Sequence, residues 1–256
     1  MKKVILRFVK KLFLWKNTNE NYLFKYVRTD SNIKRRKVKA FYLFKKDWQS
    51  ELRTRYAINA LAMFILVTIS VILFSIGQER VSEHLTGGLL WVVIFFSAMS
   101  GLSRAFVSEE DRGTTLTLHL IASPSTIFNG KLIFNVVLVY LMNIAIIVLY
   151  SLLFESFILQ NIALFFLSAL FGSFGIAVSS TIIAAIISKA SAKGTLYPVL
   201  AFPILLPLIL ILLELTKFAI DGKSLESALV EIAVLICYDV IMLTASYLLF
   251  DFIWKD

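Results

Sequence analysis

The sequence predicts an all-α, polytopic membrane protein with six transmembrane helices, preceded by an amphipathic helix that lies in the membrane interface. Of the 256 residues, 59% are hydrophobic and only 17% are charged, so lipid suits this chain better as a solvent than water does. Six apolar stretches reach the roughly 20 residues that a helix needs to cross a bilayer. The first 56 residues hold 17 of the 26 lysines and arginines, which is typical of a cytoplasmic segment before a first span.

The first 40 residues are predicted to form a basic cytoplasmic extension, either disordered or bound to the membrane surface. Its most concentrated positive cluster is IKRRKVK, from Ile33 to Lys39. Basic residues beside a first span most often contact anionic lipid headgroups, so we interpret the cluster as a lipid contact and not as a nucleic-acid site.

The next segment, 41–56, has the pattern of a helix lying on the membrane surface. Phe41, Phe44, Trp48 and Leu52 recur on one helical face, and charged residues occupy the rest. Such a helix is expected to lie in the interface and not across the bilayer.

Residues 41–256 are predicted to form one six-span permease domain. The loop charges favour a topology with both termini in the cytoplasm, because this arrangement leaves only Arg80, Lys217 and Lys223 outside. The predicted spans are about 57–76, 87–106, 132–154, 162–188, 195–215 and 228–253.

The loop after the second span carries a charged break that cannot remain in lipid. Beyond it, leucines at helical spacing predict a short second helix, which a proline is expected to stop. Such a loop is either an ordinary connection or a surface that transmits force to a soluble partner. The candidate coupling residues are Glu109, Glu110, Asp111, Arg112, Gly113, Leu116, Leu120, Ser123 and Pro124.

Two spans contain residues that a lipid-facing helix does not need. Asp239 lies inside the sixth span, where an ionised carboxylate costs about 2.5–3.5 kcal/mol on insertion scales. It is either a functional residue in transport or assembly or a structural acid satisfied by a neighbour, and Asn143 of the third span is a candidate for that neighbour. Pro203 and Pro207 remove backbone donors from the fifth span, which predicts a kink or local unwinding at a hinge.

The fourth span carries a stripe of small residues at helical spacing. Ser168, Gly172, Gly175 and Ser179 recur three or four residues apart. This spacing predicts that another helix approaches the span closely.

No enzymatic motif is present in the sequence. Gly130-Lys131 lacks the preceding glycine of a phosphate-binding loop, and neither a zinc-protease helix nor a nucleophile elbow occurs. The chain is therefore expected to be a non-catalytic subunit that holds no cofactor of its own. His84 and His119 are isolated from one another in the sequence, so each is a weak candidate for a haem or metal ligand.

Several segments, taken in order, resemble a known family of permeases. They are SIGQE at 75–79, GLLWV at 88–92, Gly130-Lys131 and FPILLPLIL at 202–210. Between them, Leu102, Arg104, Phe106, Asp111 and Gly113 match the family's L-x-R-x-F…D…G signature. From about Phe41 onward the chain resembles the membrane subunits of ABC-2 type transporters, and more closely the CcmB-type permeases of cytochrome c maturation.

That resemblance implies a permease of the bacterial inner membrane that works with partner subunits. The expected partners are an ATP-binding subunit, a haem-handling membrane subunit, a periplasmic haem chaperone and membrane lipids. ATP hydrolysis in the partner would drive haem delivery or release of the haem-loaded chaperone, so haem is the expected cargo. Two alternatives stay open at this point: an ABC-2 exporter of a lipid, glycan or drug, and an ATPase-independent carrier or scaffold in which Asp239 is central.

Overall fold

The computed structural model describes residues 33–77, 81–103, 106–111, 113–115, 118, 120, 122–190 and 193–254, and all regular structure in these ranges is helical. The described ranges contain eight α-helices and one short 3-10 helix. They are α1 (Ile33–Thr54), α2 (Tyr56–Ile76), α3 (Glu83–Leu102), α4 (Val107–Asp111), α5 (Pro124–Leu153), α6 (Ile162–Ser188), α7 (Lys193–Ile220), the 3-10 helix Glu226–Ala228 and α8 (Leu229–Ile253).

Five of these helices, α3 and α5 to α8, are long and apolar enough to cross a membrane. Helix α6 has the bounds predicted for the fourth span, 162–188. Helix α2 covers the first predicted span, and within its described residues Leu61–Ile76 forms an apolar helical stretch. The all-helical fold is therefore confirmed, whereas the sixth crossing, made by α2, stays a prediction.

The helices that contain the second and third predicted spans begin and end at other residues than the predicted spans. Helix α3 begins at Glu83, where the Ser82 hydroxyl accepts a hydrogen bond from the Leu85 backbone N–H, and it ends at Leu102. Phe106 therefore lies beyond the second span. Pro124 does not stop the preceding segment but opens α5, because a proline at the first helical position loses no intrahelical hydrogen bond.

The predicted boundary at residue 40 falls inside α1. Helix α1 begins at Ile33 and continues without interruption to Thr54, so part of the predicted extension belongs to this helix. The remainder of the predicted extension, residues 1–32, lies outside the described residues.

Helix α6 lies at the centre of the bundle and packs against α3, α4, α5, α7 and α8. Its small residues permit these contacts. A Cβ added at Gly172 would lie 2.6 Å from the Leu212 side chain of α7, and one added at Gly175 would lie 3.0 Å from Leu208. Any larger residue would push α7 away, so the close approach predicted for this stripe is confirmed.

Helix α7 runs unbroken through its three prolines. The local unwinding that the proline pattern allowed therefore does not occur. Pro203 and Pro207 lie on the exposed face of the helix, together with Phe202 and Leu206, and a hinge at this point stays a prediction.

Aromatic side chains pack against one another at one end of the bundle, which we call the Glu109 end. Phe250 of α8 lies 5.5 Å from Phe106, 5.0 Å from Phe128 and 5.2 Å from Trp254, measured between ring centroids. These contacts bring together the end of α8, the start of α5 and the chain that follows α3. At the opposite end, the Tyr150 hydroxyl donates to the Thr86 carbonyl at 2.7 Å.

Candidate coupling site

Helix α4 is a short helix whose C-terminus is closed by a glycine. The backbone N–H of Gly113 donates to the Glu110 carbonyl at 3.0 Å, and that of Thr114 donates to the Glu109 carbonyl at 3.0 Å. This pair of bonds is a Schellman motif, with Gly113 in the left-handed conformation that it requires (φ 65°). Gly113 therefore sets the direction in which the loop leaves α4.

Two threonines hold the acids of α4 in place. The Thr114 hydroxyl donates to Oε2 of Glu109, and the Thr115 hydroxyl donates to Oε2 of Glu110 at 2.7 Å. Both carboxylates therefore turn back toward the loop that follows them, and Glu109 points into the protein.

Glu109 is one of four residues in an ion cluster, which we define as Lys46, Asp47, Glu109 and Lys131. Its Oε1 lies 2.7 Å from the Lys46 Nζ and 3.0 Å from the Lys131 Nζ. The Lys131 Nζ also lies 2.9 Å from Oδ2 of Asp47, which in turn lies on α1. The ion cluster thus joins three elements: α1, α4 and the first turns of α5.

The cluster is largely shielded from solvent, with side-chain exposures of 6% for Lys131, 10% for Asp47 and 10% for Glu109. Burial alone would raise the pKa of the Glu109 carboxyl, but the Lys131 and Lys46 ammonium groups hold that pKa well below its usual range. Burial also disfavours charged Lys46, but Asp47 and Glu109 outweigh it and raise the Lys46 pKa. The two lysines therefore stabilise ionised Glu109, and the two acids stabilise protonated Lys46.

Gly130, next to Lys131, allows α1 to reach this position. A Cβ added at Gly130 would lie 2.7 Å from the Leu43 Cβ and 3.1 Å from the Ala40 carbonyl oxygen. The two helices therefore pack in direct contact at this glycine. Gly130-Lys131, which was part of the family resemblance, thus combines a close helix approach with a buried cation.

The face that α1 presents to α5 is not its aromatic face. Leu43 and Asp47 face α5, whereas Phe41 is 57% exposed and Leu52 is 49% exposed. Trp48 lies between the two faces, 6.4 Å from the Phe134 ring of α5. The acidic residue Asp47 of α1 therefore contacts the bundle, and much of the apolar face of α1 is exposed.

Of the two leucines that the structure describes between Gly113 and α5, one is buried and one is exposed. Helical hydrogen bonds run from the Leu118 N–H to the Thr114 carbonyl and from the Ala122 N–H to the Leu118 carbonyl. Leu118 is 6% exposed and Leu120 is 85% exposed. The leucine that packs inward is therefore Leu118, which the spacing argument had not selected.

The other candidate coupling residues are distributed along the same loop. Asp111 and Ser123 are exposed, and Pro124 is half-buried. Arg112 and Leu116 lie outside the described residues.

The two buried polar residues named from the sequence do not pair with each other. Asn143 donates from Nδ2 to the Ser173 hydroxyl of α6 at 2.7 Å. Asp239 is 4% exposed and, within the described part of the chain, neither of its carboxylate oxygens has a hydrogen-bond partner. The suggested Asn143–Asp239 contact was therefore wrong.

No group of three His, Cys, Asp or Glu side chains is placed to hold a metal ion among the residues that the structure describes. His84 lies at the opposite end of the bundle, where its Nε2 is 3.2 Å from Oδ1 of Asp221. His119 lies outside the described residues.

Comparison with known proteins identifies the family. No curated protein matches the chain. The family model described as CcmB protein matches residues 38–248, which is most of the chain and includes the ion cluster, the loop after α3, four of the five long spans and most of the fifth. The chain therefore belongs to the CcmB family, the transmembrane permease components of haem exporters in cytochrome c maturation.

Proposed function

We propose that this permease receives the movement of an ATP-binding subunit at its Glu109 end and uses it for haem delivery or for release of a haem-loaded periplasmic chaperone. The family implies an ABC transporter with an ATP-binding subunit. The Glu109 end then faces the cytoplasm, and both termini lie on that side of the inner membrane. A haem-handling membrane subunit is the further partner in this assembly.

The ion cluster is the observation that carries the proposal. A docked ATPase contacts the exposed part of the loop, while Glu109 connects the same loop to α1 and α5 through buried ion pairs. Because charges held in a buried cluster resist separation, movement of the loop moves the bases of both helices together. The loop thus receives the movement of the ATP-binding subunit, and α1 and α5 transmit this movement to the rest of the permease.

Leu120 provides the contact that the ATPase covers. A leucine that is 85% exposed on a short helical segment contributes little to the fold of the permease. Burial of such a side chain by a partner is favourable, because it removes apolar surface from water. We therefore expect a groove on the ATP-binding subunit to bury Leu120.

The test compares Leu120→Asp with Leu118→Ala in the full complex. Leu120→Asp should leave permease insertion and thermal stability unchanged but reduce co-purification of the ATP-binding subunit at least tenfold, together with cytochrome c output. Leu118→Ala should instead destabilise the permease itself, because Leu118 is buried.

Normal ATPase binding and normal cytochrome c output with Leu120→Asp would overturn the docking assignment. A cell that lacks the permease, keeps normal cytochrome c and shows altered export of a lipid, glycan or drug would overturn the assignment of haem as the cargo.

A further inference from the structure

The contact between α6 and α8 contains a carboxylate that the coupling mechanism does not use. Asp239 lies near the middle of α8, on the inward face that also includes Leu235 and Ser246. A Cβ added at Gly175 of α6 would collide with Oδ1 of Asp239. The carboxylate therefore rests directly against the α6 backbone, deep within the apolar part of the bundle.

Helices α6 and α7 provide no positive charge beside Asp239 to balance it. Helix α6 contains no ionisable residue from Ile162 to Ser188, and α7 contains none from Pro198 to Leu213. The α7 residue that packs against Gly175 beside the carboxylate is Leu208, which is completely buried.

Among the residues that the structure describes, the titratable groups that interact with Asp239 are two tyrosines, Tyr140 of α5 and the adjacent Tyr238. Both hydroxyls donate elsewhere: Tyr140 to the Leu170 carbonyl at 2.8 Å and Tyr238 to the Ile204 carbonyl at 2.8 Å. Neither tyrosine therefore provides Asp239 with a hydrogen-bond donor.

These surroundings disfavour the ionised form of the Asp239 carboxyl group. An ionised group buried without a counterion or a donor costs several kcal/mol, and a group in that position takes up a proton instead. The neutral carboxylic acid removes this cost and fits the same space.

We propose that Asp239 is an intramembrane proton-binding site, whose carboxyl group carries a proton while α6 and α8 are packed together and releases it when their contact opens to water. The ligand is a single proton. On release, the O–H bond of the acid breaks and water accepts the proton, so the carboxylate is solvated in the opened contact. Because only the packed state binds the proton, raising the pH favours separation of the two helices.

Infrared spectroscopy of the full-length permease in lipid nanodiscs tests the protonation state. At neutral pH the wild-type protein should show a protonated-carboxyl C=O band that shifts on ¹³C labelling of aspartate and is lost in Asp239→Asn. Asp251→Asn, a change at the exposed end of α8, is the control that should retain the band. The isotope shift identifies the acid as an aspartate, and Asp239→Ala, which removes the same carboxyl group, assigns the band to Asp239 if Asp239→Asn fails to insert.

Hydrogen–deuterium exchange of the segment around Gly175 tests the link to packing. After correction for intrinsic exchange, protection of this segment in the wild-type protein should fall at alkaline pH, and in Asp239→Asn it should not respond to pH. Absence of the labelled carboxyl band at neutral pH, or equal pH responses in the two proteins, would overturn the proposal. Neither measurement involves the ATPase or cytochrome c, so this proposal and the proposed transport function stand or fall separately.

Discussion

The Nζ atom of Lys131 lies 3.0 Å from Oε1 of Glu109, and this contact ties the start of α5 to the loop that follows α3. Both side chains are about nine-tenths buried, and Asp47 and Lys46 complete the cluster around them. A contact of this kind is strong when intact and costly when one partner is removed, because the other charge is left buried.

Replacing Lys131 with Met should therefore destabilise the Glu109 end of the protein by about 3–5 kcal/mol, the range typical for breaking a buried ion pair. A lower midpoint in thermal unfolding of the purified permease is the measurement. Lys46→Met is the matched control, since the Lys46 side chain is 47% exposed and its loss should cost less. Equal effects of the two substitutions would show that burial does not determine the strength of the cluster.

The ion cluster should also make stability depend on pH in the acid range. Because the folded state lowers the pKa of Glu109, its contribution is fully present above the ordinary carboxyl value of about 4.5 and is lost as the pH falls through the lower folded value. The raised pKa of Lys46 acts in the alkaline range, where stability is lost as the pH rises through the folded value.

Thermal unfolding at a series of pH values measures this dependence. Glu109→Gln should flatten the acid limb of the profile relative to wild type, whereas Asp111→Asn, at an exposed position in the same helix, should change it much less. An unchanged acid limb in Glu109→Gln would contradict the assignment.

Gly113 should tolerate only residues that adopt the left-handed conformation. Its φ of 65° makes Gly113→Ala unfavourable by about 1–2 kcal/mol, although an added Cβ would meet no atom within 4 Å. Gly113→Asn should be accepted, because asparagine visits this conformation readily. ATPase co-purification should follow the order Gly, Asn, Ala, Pro, and a normal yield with Gly113→Pro would count against the Schellman geometry.

A single methyl group added at Gly175 should lower the stability of the protein, because it collides with the Asp239 carboxylate. Gly175→Ala forces the α6–α8 contact apart and should cost about 1–3 kcal/mol, as overpacking usually does. Gly88→Ala is the control, because its added Cβ would make an ordinary 3.7 Å contact with Leu213.

The double variant Gly175→Ala/Asp239→Ala should recover part of the loss, since removing the carboxylate frees space for the methyl group. Thermal unfolding in detergent or nanodiscs gives the stabilities of the wild type, the two single variants and the double variant, which together form a double-mutant cycle. Strict additivity of the two substitutions would show that the residues do not interact.

The loop after α3 shows why sequence periodicity predicted only part of the candidate coupling site. The charged break after α3 was visible because three acids followed by an arginine do not stay in lipid. Lys46 and Lys131 were not assigned to the cluster, since they lie 63 and 22 residues from Glu109 in the chain and no local pattern relates them. Leu118 was missed because residues 116 and 120 matched the helical spacing that the argument used.

The sequence alone determined that this chain is a membrane bundle and where most of its helices lie, because span length and hydrophobicity are local properties that lipid selects directly. It could not determine which face of each span is buried, since a helix that is apolar on all sides carries no periodic signal. Only the tertiary structure decided that Asp239 meets Gly175, that Asp47 and not the aromatic face of α1 enters the bundle, and that Glu109 is an internal ion. These contacts join distant segments, and their energies exist only once the helices have packed.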